Sequence, residues 1–137
     1  MEPSGGGGKQ TILVVEDAEA IRRMICSMLM QSGFTVIEAG DGVEALRLLE
    51  QRSEPVHLVV TDVIMPQMHG TELARRLAQL RPGLRVIFMS GFSDDPVVRA
   101  VERDKSFFLA KPFTTVALVE KVREALNQPN GRPGGCP

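Results

Sequence analysis

The stretch HLVVTDVIMPQMHG, residues 57–70, places a carboxylate directly behind a run of apolar side chains. The run LVV is typical of a buried strand, and Pro66 marks the turn that follows, because proline cannot donate a hydrogen bond inside a sheet. The stretch therefore predicts a strand that ends near Asp62. A lone aspartate before a turn most often stabilises that turn, so the role of Asp62 depends on what surrounds it.

Four other short apolar runs have the same strand character, and segments with helical periodicity lie between them. The runs cover residues 12–15, 34–37, 86–89 and 107–109, and the periodic segments cover 21–29, 45–49, 73–80, 97–101 and 118–126. Strands that alternate with helices are joined by right-handed crossovers into a parallel sheet. Five such units predict an α/β fold with an open, doubly wound, five-stranded parallel sheet, because a closed barrel of this type needs eight.

The composition is that of one globular domain. Of the 137 residues, 43% are hydrophobic, and the net charge of −1 gives no basic surface for nucleic acid. We expect a folded domain over residues 10–128, between a flexible glycine-rich segment at 1–9 and a flexible tail at 129–137. No apolar run approaches the roughly 20 residues of a membrane span, and the N-terminus has no secretory signal pattern. We interpret Cys26 and Cys136 as free thiols, and we expect a cytoplasmic protein that has no membrane segment and does not bind nucleic acid directly.

Polar side chains stand at the ends of four of the five predicted strands. Glu16 and Asp17 follow the first strand, Asp62 the third, Ser90 the fourth and Lys111 the fifth. Because the carboxyl ends of parallel strands meet at one edge of an open sheet, we expect these side chains to form one cluster. Three carboxylates at close range repel one another unless cations separate them. Lys111 supplies one cation, and Mg²⁺, which prefers oxygen ligands, is the expected second.

The composition of this cluster suits phosphoryl transfer. A carboxylate beside Mg²⁺ and a lysine can attack phosphorus, while the metal, the ammonium group and a hydroxyl bind the phosphoryl oxygens. Asp62 is the candidate nucleophile, and Ser90 and Lys111 are the candidate phosphoryl contacts. Glu16 and Asp17 are the candidate metal ligands.

Four stretches of the chain, taken in order, resemble the receiver domain of two-component response regulators. They are ILVVEDAEAIRRM (12–24), LVVTDVIMPQMHGTEL (58–73), VIFMSGF (86–92) and FLAKPF (108–113). The resemblance implies the (βα)5 flavodoxin-like receiver fold with sheet order 2-1-3-4-5. It also implies a phosphoacceptor that takes a phosphoryl group onto Asp62 from a histidine kinase or a histidine phosphotransfer protein. The domain is similar to the receivers found on hybrid sensor histidine kinases.

The same resemblance implies a set of metal ligands. Asp17 and Asp62 would bind Mg²⁺ directly, together with the backbone carbonyl of Ile64. Glu16 matches the first acid of the family, which acts through a metal-bound water.

The resemblance also implies a conformational switch at Ser90 and Phe108. A downstream protein would bind the face formed by the fourth helix, the fifth strand and the fifth helix. Lys111 would contact the phosphoryl group and precede a cis bond to Pro112. Three residues depart from the commonest pattern of the family: Glu16 stands where Asp is usual, Phe108 where Tyr is frequent, and Ser90 where Thr is frequent.

Two other functions remain open on the residues alone. A phosphatase of the haloacid-dehalogenase type also forms an aspartyl phosphate, but Ile64 here replaces the second acid of its Asp-x-Asp motif. Without that general base the phosphoryl group on Asp62 should persist, so we expect an autocatalytic phosphoacceptor and not a turnover enzyme. The other alternative is an interaction module that is never phosphorylated.

Several of these residues also have a purely structural interpretation. Glu16 and Asp17 could cap the first helix, and Ser90 could belong to an ordinary turn. His57 and His69 lack the spacing of a metal site, and we expect them to be surface or capping residues.

Overall fold

The computed structural model describes residues 9–91, 93–103 and 107–127, in which five strands alternate with five helices. The strands are β1 (Thr11–Val15), β2 (Thr35–Ala39), β3 (Leu58–Asp62), β4 (Arg85–Ser90) and β5 (Phe108–Ala110). The helices are α1 (Glu19–Gln31), α2 (Gly42–Gln51), α3 (Gly70–Leu80), α4 (Pro96–Glu102) and α5 (Thr115–Leu126). The predicted flexible ends lie outside the described residues, except for Lys9. Within the described part, no helix is both long enough and apolar enough to cross a membrane.

The strands form one parallel sheet in the order β2-β1-β3-β4-β5, which confirms the predicted fold. The register pairs Leu13 with Val59 and Val60 with Ile87 across the centre of the sheet. Since β1 and β3 are neighbours, the acids at their carboxyl ends are brought side by side.

Two apolar layers cover the sheet, because successive residues of a strand face opposite sides. Ile12 and Val14 of β1 pack with α1 and α5, whereas Leu13 and Val15 pack with α2 and α3. The residues of β3 and β4 divide in the same way. These layers hold the carboxyl ends of the central strands at one fixed edge.

Strand β2 is less buried than the apolar run at residues 34–37 predicts. Thr35 and Glu38 are exposed, and Val36 and Ile37 are only partly buried. An edge strand has a neighbour on one side only, so its surface is less completely covered. This exposure leaves the carboxylate of Glu38 accessible to Arg22 of α1, which it contacts at 2.8 Å.

Side chains cap three of the helices at their N-termini. Asp41, Asp95 and Thr114 cap α2, α4 and α5 with oxygens that accept backbone N–H groups at 2.8–3.0 Å. The capping residue of α1 is Ala18, which makes no side-chain hydrogen bond. Other groups must therefore hold the loop between β1 and α1.

Candidate functional site

The three predicted site acids lie together at the carboxyl edge of the sheet. Glu16 and Asp17 follow β1, and Asp62 ends β3. One carboxylate oxygen from each lies within 4.8 Å of the others. Glu16 and Asp62 are only 2% and 5% exposed, whereas Asp17 is open to solvent. Two buried carboxylates at this range are costly unless a cation compensates them.

Lys111 supplies that cation from the end of β5. Its Nζ lies 2.8 Å from Oε1 of Glu16 and 2.7 Å from Oδ1 of Asp62. The ammonium group therefore bridges acids from β1 and β3. Most of the Lys111 side chain is covered, so it is not an ordinary surface lysine.

The protonation states follow from this geometry. Burial raises the pKa of Asp62 to about 7, and the hydrogen bond with Glu16 adds to the rise while Lys111 opposes it. Burial would also raise the pKa of Glu16, but hydrogen bonds with Asp62, Lys111 and the Ala18 amide outweigh it and lower that pKa. Burial would lower the pKa of Lys111, but its hydrogen bonds to both carboxylates raise it. Of the two acids, Asp62 therefore has the raised pKa and Glu16 the lowered one, so in the metal-free site Asp62 is protonated first as the pH falls.

Glu16 is held through its backbone as well as its side chain. Its N–H donates to the carbonyl of Ala39 in β2 at 3.2 Å, and its Oε2 accepts from the Ala18 N–H at 3.1 Å. Ala18, and neither Glu16 nor Asp17, occupies the capping position of α1, but Glu16 does accept one backbone N–H at the start of that helix.

One residue of the site was missed in the sequence. Arg22 of α1 donates from Nη1 to the carbonyl oxygen of Glu16 at 3.0 Å and from Nε to Glu38 at 2.8 Å. Its sequence context, an arginine pair at 22–23 on an amphipathic helix, is typical of an exposed face. Only the pairing of β1 with β2 shows that one of the two arginines reaches the acid loop.

Ser90 and Ile64 lie next to this cluster along the chain and the sheet. The carbonyl of Ser90 accepts the backbone N–H of Lys111 at 2.9 Å, while its hydroxyl donates to the carbonyl of Gly91 at 3.1 Å. The hydroxyl of Ser90 is thus bonded to the residue that follows it. Ile64, two residues after Asp62, is 40% exposed.

Phe108 is half-buried in β5 and lies opposite Phe88 of β4 in the parallel register. It stands three residues before Lys111 on the same strand end. The bond between Lys111 and Pro112 is cis, as the resemblance implies.

The two histidines have structural positions. His57, at the amino end of β3, accepts the backbone N–H of Thr11 on Nδ1 at 2.9 Å. His69 occupies the capping position of α3 without a side-chain cap bond.

The turn after β3 packs directly against Asp62. Gly70, the first residue of α3, donates its N–H to the carbonyl of Val63 at 2.7 Å. A Cβ at this position would overlap the backbone carbonyl of Asp62 and meet Thr61 at 3.3 Å. Only glycine leaves room for this close approach.

An apolar pocket of about 380 Å³ adjoins the cluster on the side of α1. Its lining consists of Ile21, Met24, Gly91, Lys111, Pro112 and Phe113. A partner surface that enters this pocket reaches the lysine of the site.

The donor set fits a magnesium ion. Mg²⁺ takes oxygen ligands at about 2.0–2.1 Å, so that opposite ligands are about 4.2 Å apart. The oxygens of Glu16, Asp17 and Asp62 lie within 4.8 Å of one another, and all three are hard donors of the kind that Mg²⁺ prefers.

Comparison with known proteins gives consistent matches along the chain. The family model of the response regulator receiver domain matches residues 12–123. The sensor kinase CckA of Brucella abortus (strain 2308) is 41% identical over 122 residues, which is 88% of this chain but 13% of that protein. The response regulator receiver protein CpdR of the same strain is 35% identical over 123 residues, covering 84% of this chain and 95% of CpdR. A crystal structure of the receiver domain from the hybrid histidine kinase CckA matches with a TM-score of 0.70 at 30% identity, covering 85% of this chain and 99% of that one.

Proposed function

Because the chain belongs to the response regulator receiver domain family, we propose that Asp62 is its phosphoacceptor and takes the phosphoryl group from a phosphohistidine. Receiver domains are signalling domains that interact with histidine kinases or phosphotransfer proteins and with downstream effectors. The observation that carries the proposal is the position of Lys111 Nζ, 2.8 Å from Glu16 and 2.7 Å from Asp62. It puts a cation beside a buried carboxylate, as binding of a phosphoryl group requires.

The transfer forms one bond and breaks another. A carboxylate oxygen of Asp62 attacks phosphorus, the bond from phosphorus to the histidine nitrogen breaks, and the nitrogen keeps the electron pair. Lys111 donates to one phosphoryl oxygen, and the hydroxyl of Ser90 turns from the Gly91 carbonyl to another. Ile64 stands where a phosphatase would have its general base. The acyl phosphate therefore persists, and the domain signals without turnover.

Receiver domains generally bind Mg²⁺ at an acidic pocket, and we assign this ion to Asp17, Asp62 and the backbone carbonyl of Ile64. When bound, Mg²⁺ supplies positive charge that stabilises the transferred phosphoryl group. Both oxygens of Glu16 are engaged, one by an ammonium group and one by a backbone amide. This supports an indirect role for Glu16, through water.

Phosphorylation shifts the population of a conformational switch at Ser90 and Phe108. Phe108 has no hydroxyl, so burial alone stabilises its inward position. The face formed by α4, β5 and α5 carries this change to a downstream protein.

The phosphodonor is a histidine kinase or a histidine phosphotransfer protein. We place its approach at the apolar pocket that opens on Lys111, because a histidine ring there lies within reach of the site. The proposed location of the domain is the cytoplasm, where Cys26 stays a free thiol.

Intact-mass measurement after incubation with acetyl phosphate and Mg²⁺ tests the phosphoacceptor. Wild type should gain one phosphoryl group, Asp62→Asn should gain none, and the control Asp94→Asn should behave as wild type. An adduct that survives in Asp62→Asn would contradict the assignment. Rapid release of phosphate by wild type would favour the phosphatase alternative, and no labelling would favour the pure interaction module.

Titration of Mg²⁺ tests the metal ligands. Loss of a direct carboxylate ligand should weaken binding more than loss of one that acts through water. We therefore expect a larger rise in the dissociation constant for Asp17→Ala than for Glu16→Ala. The opposite order would reverse the two roles.

A further inference from the structure

The side chain of Arg22 contacts the backbone of the short loop that carries the acid pair. Its Nη1 donates to the carbonyl of Glu16 at 3.0 Å. Its backbone N–H makes the first ordinary bond of α1, to the carbonyl of Ala18 at 2.9 Å. Asp17 lies between these two carbonyls, so the guanidinium group fixes the backbone directly before a proposed metal ligand, at the point where the helix begins.

The guanidinium group is itself fixed by β2. Its Nε donates to Oε1 of Glu38 at 2.8 Å, so one planar group joins β2 to the end of β1. The side chain of Arg22 is 16% exposed, whereas that of the adjacent Arg23 is 65% exposed. Arg23 also pairs with Glu38, at 3.8 Å, but its other ion pair is with Glu19 of its own helix.

The capping residue of α1, Ala18, makes no side-chain cap bond. The carboxylate of Glu16 accepts from Lys111, which follows β5. The carbonyl of Glu16 accepts from Arg22, which is paired with Glu38 of β2. Glu16 is thus bound by one cation at its side chain and by a second at its backbone, and β5 and β2 lie at opposite edges of the sheet.

We propose that Arg22 is a positioning residue for the metal site, which holds the carbonyl of Glu16 and so aims the acid pair at the end of β3. This inference rests on the proposed function, since it assigns Arg22 a role in the same site. Arg22 acts through the backbone of Glu16, as groups outside the first layer of metal ligands do when they orient those ligands.

Three variants separate this role from general stabilisation: Arg22→Met, Arg22→Lys and the matched control Arg23→Met. Mg²⁺ titration followed by amide NMR measures the affinity of the folded protein alone, so partial unfolding does not affect the result. Arg22→Met should raise the dissociation constant for Mg²⁺ about tenfold. Arg22→Lys should raise it about threefold, because a lysine reaches one of the two partners but lacks the fork that joins both. Arg23→Met should stay within about twofold of wild type.

Amide exchange in the metal-free proteins gives a second, independent measurement. The Ala18 N–H, which donates to Glu16, should exchange at least about tenfold faster in Arg22→Met than in Arg23→Met, while the amides of β1 keep their protection. Equal Mg²⁺ affinities and equal Ala18 exchange in Arg22→Met and Arg23→Met would overturn the inference and leave the proposed function intact. A wild-type protein that bound no Mg²⁺ and accepted no phosphoryl group would overturn the proposed function and the inference with it.

Discussion

Replacement of Asp62 by asparagine should make the metal-free protein more stable, and the gain should grow with pH. The pKa of Asp62 is about 7 in the folded protein, against 3.8 for an ordinary aspartate. The folded state therefore holds this proton more tightly than the unfolded chain does. The stabilisation that the bound proton gives is complete below pH 3.8 and is lost as the pH rises to about 7. Asparagine does not ionise, so the variant escapes this loss.

The difference between the two pKa values sets the upper limit of the effect. A shift of roughly 3 units corresponds to about 4 kcal/mol. Two contributions reduce the gain in stability. The lowered pKa of Glu16 stabilises the folded wild type and so offsets part of the destabilisation by Asp62. The asparagine variant also loses the ion pair with Lys111. We expect a gain in the free energy of unfolding of about 1–3 kcal/mol above pH 7, which corresponds to a rise in Tm of about 3–10 °C.

Urea unfolding in the presence of EDTA measures this gain between about pH 5 and pH 8. Asp94→Asn is the matched control, because that carboxylate and its ion-pair partner Arg99, at 2.8 Å, are both exposed. An exposed pair contributes little, so the effect should stay within about 0.5 kcal/mol at every pH. Addition of Mg²⁺ should narrow the gap, since the ion stabilises the wild type that binds it. Equal stability of the two proteins at pH 8, or a gain that does not change with pH, would refute the reasoning.

Three further changes test the surroundings of the site. Gly70→Ala should lower the free energy of unfolding by about 1–3 kcal/mol and slow labelling by acetyl phosphate, because the added Cβ overlaps the Asp62 carbonyl. The control is Gly91→Ala, where a Cβ meets nothing within 4 Å. Equal unfolding midpoints for the two variants would contradict this. Ile64→Asn should shorten the lifetime of the acyl phosphate several-fold, because an amide at this exposed position can orient a water molecule. Intact mass follows the decay, and a lifetime that is unchanged or longer in the variant would contradict this reason. Cys26 is 3% exposed, and burial raises the pKa of its thiol to about 11. In a variant whose other cysteine is serine, this thiol should react with Ellman's reagent at least about 100-fold more slowly than an ordinary thiol. A fast reaction without denaturant would contradict this.

The fold could be predicted because several independent features of the sequence indicate the same arrangement. Each strand has an apolar run, four of the five have a polar residue of the site at the carboxyl end, and the alternation with helices favours a parallel sheet. The same reasoning predicted that one edge of the sheet holds Glu16, Asp17, Asp62 and Lys111. Where the periodic signal is weaker, at the edge strand β2, the expectation of full coverage was wrong.

The contacts within the site could not be predicted in this way. Residue types and spacing place a lysine near two acids, but they do not tell which oxygens it bridges or which acid keeps the proton. Arg22 was missed for the same reason, since its role depends on Glu38 of a neighbouring strand and on a backbone carbonyl. The bond of the Ser90 hydroxyl to the carbonyl of Gly91 could not be predicted either, because it depends on the geometry of the turn.

Lys111 connects the charge at the site to the short edge strand β5. Its ammonium group binds the two acids, while its backbone N–H binds the carbonyl of Ser90 in β4. In the proposed phosphorylated state, the phosphoryl group on Asp62 would replace one buried carboxylate with a dianion, which would attract Lys111 more strongly and so act on this connection. Strand β5 has three residues and pairs with a single neighbour, β4. A short edge strand shifts at lower cost than the central strands, and Phe108 lies on it. Charge added at Asp62 would therefore act on a short strand with one neighbour, and through it on the outer face of the domain.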